Sequence, residues 1–184
     1  MKKLLALMLT ITCVLTCFVS CGNNPSKKND DPTGVALKAD GVPFEFYLEP
    51  DEKGVASTAT VYLWLEVTEK IEIPETITYN EHVYPVTKIG LGQGITAEAS
   101  ALETLSVSKN VKVISDAAFS TCVNLKSINF PDGSQLEYIG EGAFSGTALA
   151  GAFDVPASIK TIKKTAFSGT DITAVIFTKD SQIE

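Results

Sequence analysis

The residues able to carry chemistry are few. There is a single histidine, His82, and the four cysteines are Cys13, Cys17, Cys21 and Cys122. A zinc site needs several Cys, His or carboxylate ligands at characteristic spacings. Neither C-x-x-C nor H-E-x-x-H occurs, so such a site has nothing to be made from. His82 reads as a satisfied or solvent-edge residue. A nucleophile would need a neighbouring base, and no motif places one beside Cys122. The glycine-rich GLGQG of Gly90–Gly94 does not open a strand–turn–helix unit, so it is a loop and not a phosphate cradle. Glu49 and Asp51 are close in sequence, but nothing sets them across a cleft as acid and base. The chain reads as non-enzymatic, with no cofactor and no metal.

Charge narrows the partners. Twenty-two acidic residues face fifteen lysines, with no arginine, for a net charge of −7. Nucleic-acid binding needs a basic stripe, and none exists. An acidic surface of this kind keeps a chain soluble.

What the sequence does carry is a repeat. VKVISDAAFSTCVNLKSINFP (Val111–Pro131) returns as LEYIGEGAFSGTALAGAFDVP (Leu136–Pro156) and as IKTIKKTAFSGTDITAVIF (Ile159–Phe177). Ile114, Ile139 and Ile162 are spaced by 25 and 23, as are Phe119, Phe144 and Phe167. Ile89 lies 25 before Ile114, so a degenerate copy begins near Val86. Apolar residues at fixed offsets, with a period in the twenties, mark a stacked solenoid, because one repeat cannot bury its own apolar face. The pattern I-x(4)-A-F-x-x-C-x-x-L-x-x-I-x-φ-P, where φ is apolar, resembles the BspA-like bacterial leucine-rich repeats from about Val86 onward. That resemblance implies an α/β leucine-rich-repeat solenoid of about four turns, the last incomplete. It also implies an adhesive role towards host matrix or neighbouring cells, through a protein or glycan ligand.

Leu125, Ile128 and Phe130, like Leu102, Leu105 and Val107, form a φ-x-x-φ-x-φ segment whose last two apolar positions are two apart. That is the period of a short strand with one buried face. Stacked copies predict one parallel sheet, each strand ended by a proline such as Pro131 or Pro156. The Ala-Phe pairs are expected on brief helical turns on the opposite side, Phe filling the space between layers. The repeat core is then Ile114, Phe119, Cys122, Leu125, Ile128, Ile139, Phe144, Ile162 and Phe167, with Cys122 acting as a small buried apolar residue. Asp132-Gly133 marks a turn that accounts for the longer of the two spacings. The alternate positions should point outward: Thr104, Ser106, Ser127, Asn129, Ala152, Asp154, Ala174 and Ile176. They are small and nearly aromatic-free, whereas hot spots favour Trp, Tyr and Arg. A ligand on this face would be held broadly, with little contributed per residue.

Ahead of the repeats, Met1–Ser20 has two lysines followed by an apolar run, the n- and h-regions of a signal peptide. It ends in FVSC, which resembles a bacterial lipobox with Cys21 as the lipidated residue, so the membrane would be engaged through a lipid anchor. Residues 21–34 are polar and read as a flexible tether. Residues 35–85 turn β-rich: Phe44, Phe46 and Leu48 alternate, Thr58–Val67 continues the pattern, and Asp51–Gly54 suits a hairpin loop. This stretch reads as an N-terminal cap on the repeats of residues 86–184, with Trp64 in the cap core or at its edge. Leu91–Leu105 lacks the Ala-Phe pair and predicts an insertion or irregular helical turn. Ile183-Glu184 resembles the opening of a further repeat. The expectation is a surface-exposed, lipid-anchored binding module of a bacterial envelope. The rival is an accessory lipoprotein that docks a partner chain through the solenoid end.

Overall fold

The computed structural model describes residues 36–38, 44–64, 68–90, 99–120, 122–181 and 183. Cys21 and the stretches expected to form a signal segment and a tether lie outside the described residues, as does the side chain of Trp64.

Thirteen strands are found among these residues. β1 (Leu37–Lys38) and β2 (Phe44–Pro50) run antiparallel onto β3 (Ala56–Trp64). From β3 the sheet turns parallel and continues through β6 (His82–Ile89), β8 (Val113–Ile114), β10 (Tyr138–Ile139) and β12 (Thr161–Ile162). β5 (Thr76–Tyr79) folds back antiparallel on the first half of β6. A second parallel ladder holds β4 (Lys70–Glu72), β7 (Thr104–Ser106) and β9 (Ser127–Asn129). A separate pair joins β11 (Ala150–Asp154) to β13 (Asp171–Ile176).

Each solenoid turn thus contributes to two ladders, not one. The φ-x-x-φ-x-φ strands are present, but an unforeseen ladder also runs through Ile89, Ile114, Ile139 and Ile162, each in register with the next. These strands are two residues long in most turns, too short for an alternating pattern to show.

The expected helical turns are absent; the only helix among the described residues is the 3₁₀ turn Ala99–Ala101. The residue before each Ala-Phe pair explains why. Ala117, Gly142 and Thr165 have φ of 53°, 61° and 56°, a left-handed conformation that no right-handed helix can continue through. The amides that a helix would use internally instead bond the next layer: Phe119 N–H to Ala143 O at 2.7 Å, and Phe144 N–H to Ala166 O at 2.8 Å. The Ala-Phe segments are chains of tight turns, as in Ser120 N–H to Ala117 O at 3.2 Å.

The core is continuous from Phe44 and Phe46 through Leu105, Ile114, Leu125 and Ile139 to Ile159. Phe119, Phe144 and Phe167 stack nearly parallel, with ring centroids 5.4 and 5.6 Å apart, and so fill the interlayer space as expected. Cys122 is buried. Ile128, Ile162 and Phe167 are only partly buried, so the expected core is looser at those three positions. Glu103, Glu137 and Glu141 each pair with a lysine 23 residues later: Lys126, Lys160 and Lys164.

The single sheet expected on the φ-x-x-φ-x-φ side is broken, since β9 and β11 do not pair. From Phe119 to Ile128 and from Phe144 to Phe153 is nine steps alike, so no insertion separates these two turns. Where β11 pairs with β13 the unmatched residue is Thr173 of β13, skipped between the partners Gly151–Ile172 and Ala152–Ala174, beside Gly151 with its φ of +76°. A bulge of this kind disrupts a ladder locally.

Candidate binding face

The outward positions of the β4–β7–β9 ladder form two columns. Lys70, Thr104 and Ser127 lie side by side, as do Glu72, Ser106 and Asn129. The buried partners between them, Ile71 and Leu105, hold the strands flat against the core. Within each column the small polar groups bond sideways: Ser127 Oγ–H to Thr104 Oγ1 at 3.2 Å, and Asn129 Nδ2–H to Ser106 Oγ at 3.5 Å. Thr104, Ser106 and Ser127 are therefore half-buried, and only Asn129 of the four is fully exposed. The result is a shallow polar strip with a lysine and a glutamate at one edge. It can offer hydrogen bonds over several layers.

Asp154 does not belong to this strip. It is exposed on β11, opposite Ile176 of β13, across the break in the ladder. Ala152 and Ala174 accompany it there.

The remaining chemical groups sit apart from one another. His82 is exposed, with Nδ1 2.8 Å from the Asn80 carbonyl. No group of three or more potential metal ligands occurs among the described residues. Burial pushes the Cys122 thiol up to about 12 from 9.0. In the interval between those values the unfolded chain loses a proton that the native chain keeps. Stability therefore falls as pH rises, by up to roughly 1.4 kcal/mol per pH unit. Urea midpoints taken from about pH 9 to about pH 11 should drop, and the drop should shrink in Cys122→Ala. An equal drop in both proteins would remove Cys122 from the account.

Sequence reasoning passed over the outward face of the longer sheet. Lys88, Val113, Tyr138 and Thr161 form one column there, with Lys163 Nζ 5.8 Å from the centre of the Tyr138 ring. Further along, Tyr47 and Tyr62 meet edge-on at 5.1 Å. Burial, then Tyr62 and Glu45, raise the Tyr47 phenol above its usual value. The residue before each repeat isoleucine was the available signal, since it recurs at the repeat period.

A stack of turns that contribute short parallel strands on two sides is a leucine-rich-repeat solenoid, a class whose extended faces serve protein binding. The family model described as the BspA type leucine rich repeat region (6 copies) matches residues 85–184, more than half of the chain. The chain belongs to this family. Among solved structures it is similar to a leucine-rich repeat protein of Bacteroides capillosus, at 26% identity and a TM-score of 0.51, covering 71% of this chain and 94% of that one. It is also similar to a leucine-rich cell surface protein of Faecalibacterium prausnitzii (20% identity, TM-score 0.51, covering 78% of this chain and 51% of that one). The T. pallidum leucine-rich repeat protein gives 22% identity and a TM-score of 0.51, covering 72% and 68%. No curated protein matches the chain significantly.

Proposed function

We propose that this chain is a non-enzymatic binding or adhesion module, held on the outside of a bacterial envelope by a lipid on Cys21. Its ligand is a protein or glycan of host matrix or of a neighbouring cell. The observation that carries this reading is the strip of Thr104, Ser106, Ser127 and Asn129, a polar face spanning successive layers with a rigid apolar core behind it. Residues 35–85 act as the N-terminal cap; the burial of Phe44, Phe46 and Val61 and the pairing of β3 with β6 support this. The FVSC motif supports the anchor; acyl chains contribute about 0.8 kcal/mol per buried methylene, enough to hold a chain on a membrane when more than one is attached.

Intact producing cells test this, carrying the wild type, Cys21→Ser, or the pair Ser127→Lys and Asn129→Lys. The wild type should fractionate with membranes and be cut by external protease, whereas Cys21→Ser should be released. The lysine pair should stay anchored yet lose adhesion. A wild type that is membrane-bound but protected from protease sinks the adhesion reading. It would favour the second one, an accessory lipoprotein that docks a partner chain through the solenoid end.

A further inference from the structure

We propose that the outward face of the longer sheet is a second ligand face, and that its ligand is an acidic polysaccharide carrying uronate or sulfate groups. This site adds to the polar strip and stands independently of it.

Positive charge collects on this face against the balance of the chain. Four tetrads align along the sheet: TKIG (87–90), KVIS (112–115), EYIG (137–140) and KTIK (160–163). They hold Lys88, Lys112, Lys160 and Lys163 against one acid, Glu137, in a chain with 22 acids and fifteen lysines. Glu137 is paired with Lys160 at 3.1 Å. Lys88, Lys112 and Lys163 take part in no ion pair among the described residues. In the turns that follow, Glu141 is paired with Lys164, and Asp116 Oδ1 accepts the Glu141 N–H. The excess positive charge is therefore a property of the sheet, assembled by the stacking of turns.

Aromatic and hydroxyl groups stand in line with it. Tyr47, Thr60, Lys88, Val113, Tyr138 and Thr161 form one outward column across successive strands. Tyr47 meets Tyr62 edge-on at 5.1 Å, and Lys163 Nζ stands 5.8 Å from the centre of the Tyr138 ring. At the cap end the carboxylates are engaged, Glu45 with Lys38 Nζ at 3.1 Å and Glu49 with the Thr60 Oγ1–H at 2.9 Å. Strands lie about 4.8 Å apart, so the four spacings from Tyr47 to Tyr138 cover roughly 19 Å, with Lys88 midway.

The column selects among anionic polymers. β6, β8 and β10 each have a strand on both sides, so a guest meets side chains and not open backbone. An acidic peptide that docks by strand addition would lack its main-chain partners here. Four lysines without an arginine make a patch, short of the stripe that tracks a nucleic-acid backbone. A phenol offers an apolar ring to the C–H face of a sugar and a hydroxyl to the sugar's own hydroxyls. An ammonium group answers the uronate or sulfate. An acidic polysaccharide uses all of these at once.

The test titrates the full chain with a chondroitin sulfate oligosaccharide, which carries both uronate and sulfate, by calorimetry. Dextran, polyglutamate and oligothymidylate are the comparisons. Binding of the oligosaccharide should saturate, dextran should be silent, and the other two polyanions should bind at least about tenfold more weakly. Lys88→Gln combined with Lys112→Gln should weaken oligosaccharide binding about tenfold, as loss of charged hydrogen bonds does. Lys53→Gln combined with Lys126→Gln, away from this face, should leave it unchanged. The proposal is overturned by absence of saturable binding, by equal binding of dextran, or by equal losses in the two lysine pairs. Equal binding of polyglutamate or of oligothymidylate also overturns it, in favour of an acidic peptide or a nucleic acid. Adhesion lost on changing Ser127 and Asn129 to lysine, alongside any of those results, would leave the polar strip as the ligand face.

Discussion

Phe144→Ala should cost about 3–5 kcal/mol, the range for removing a large buried aromatic and leaving its cavity. Phe144 is 0% exposed and sits at the centre of the Phe stack, with Phe119 on one side and Phe167 on the other at interplanar angles of 5° and 8°. Phe153 closes a third side at 6.3 Å. Three neighbours held by their own backbones cannot collapse into the space, so the cavity penalty adds to the lost transfer energy. Phe167→Ala is the internal comparison. That ring is already half-exposed, and its loss should cost clearly less. Urea unfolding followed by circular dichroism would rank the two. A loss below about 1 kcal/mol at Phe144 would mean that the interlayer register is wrong.

The second large effect is steric. Gly140→Ala should destabilise by about 1–3 kcal/mol, the usual cost of forcing an atom into a packed site. A Cβ on Gly140 would land on the backbone of Ser115 and Asp116, with the Asp116 carboxylate as close again. That loop cannot retreat easily, because Asp116 Oδ1 accepts the Glu141 N–H at 2.8 Å and Ala117 N–H bonds Glu141 O at 2.8 Å. The equivalent positions in neighbouring turns are Gly90, Ser115 and Lys163, so the requirement is local to one layer and not a rule of the repeat. Gly133→Ala is the contrast. Its φ is +73° but nothing lies within 4 Å, so only backbone strain of about 1 kcal/mol is expected. Thermal unfolding of both variants decides the point; equal midpoints would refute the steric account.

Much of this architecture could be read from the chain itself. The period, the recurrence of the isoleucines and the Phe stack follow from apolar residues at fixed offsets, which only stacking can bury. The Ala-Phe turn was misread because the left-handed residue before it is Ala117, Gly142 or Thr165, and only the glycine betrays that conformation. The β6–β8–β10–β12 ladder was hidden by its two-residue strands. The break between β9 and β11 was not legible, because Phe119 to Ile128 and Phe144 to Phe153 are equally long and the spacing shows no insertion. The polar strip was legible for Thr104, Ser106, Ser127 and Asn129 because it needs only alternation. Asp154 fell off it for want of that one hydrogen-bonded pair.

The interlayer ion pairs carry a constraint on how such an array can lengthen. Lys112, Glu137 and Lys160 occupy the same place in consecutive turns, since Tyr138 is in register with both Val113 and Thr161. The sign therefore alternates along this column, and Glu137 joins Lys160 at 3.1 Å. Copying one turn would set a like charge on its twin, while copying two would keep the alternation. Each exposed pair is worth only about 0–1 kcal/mol, so the bias is gentle. Acting over many duplications, it would still favour descendants whose repeat number along this stretch changes by even steps.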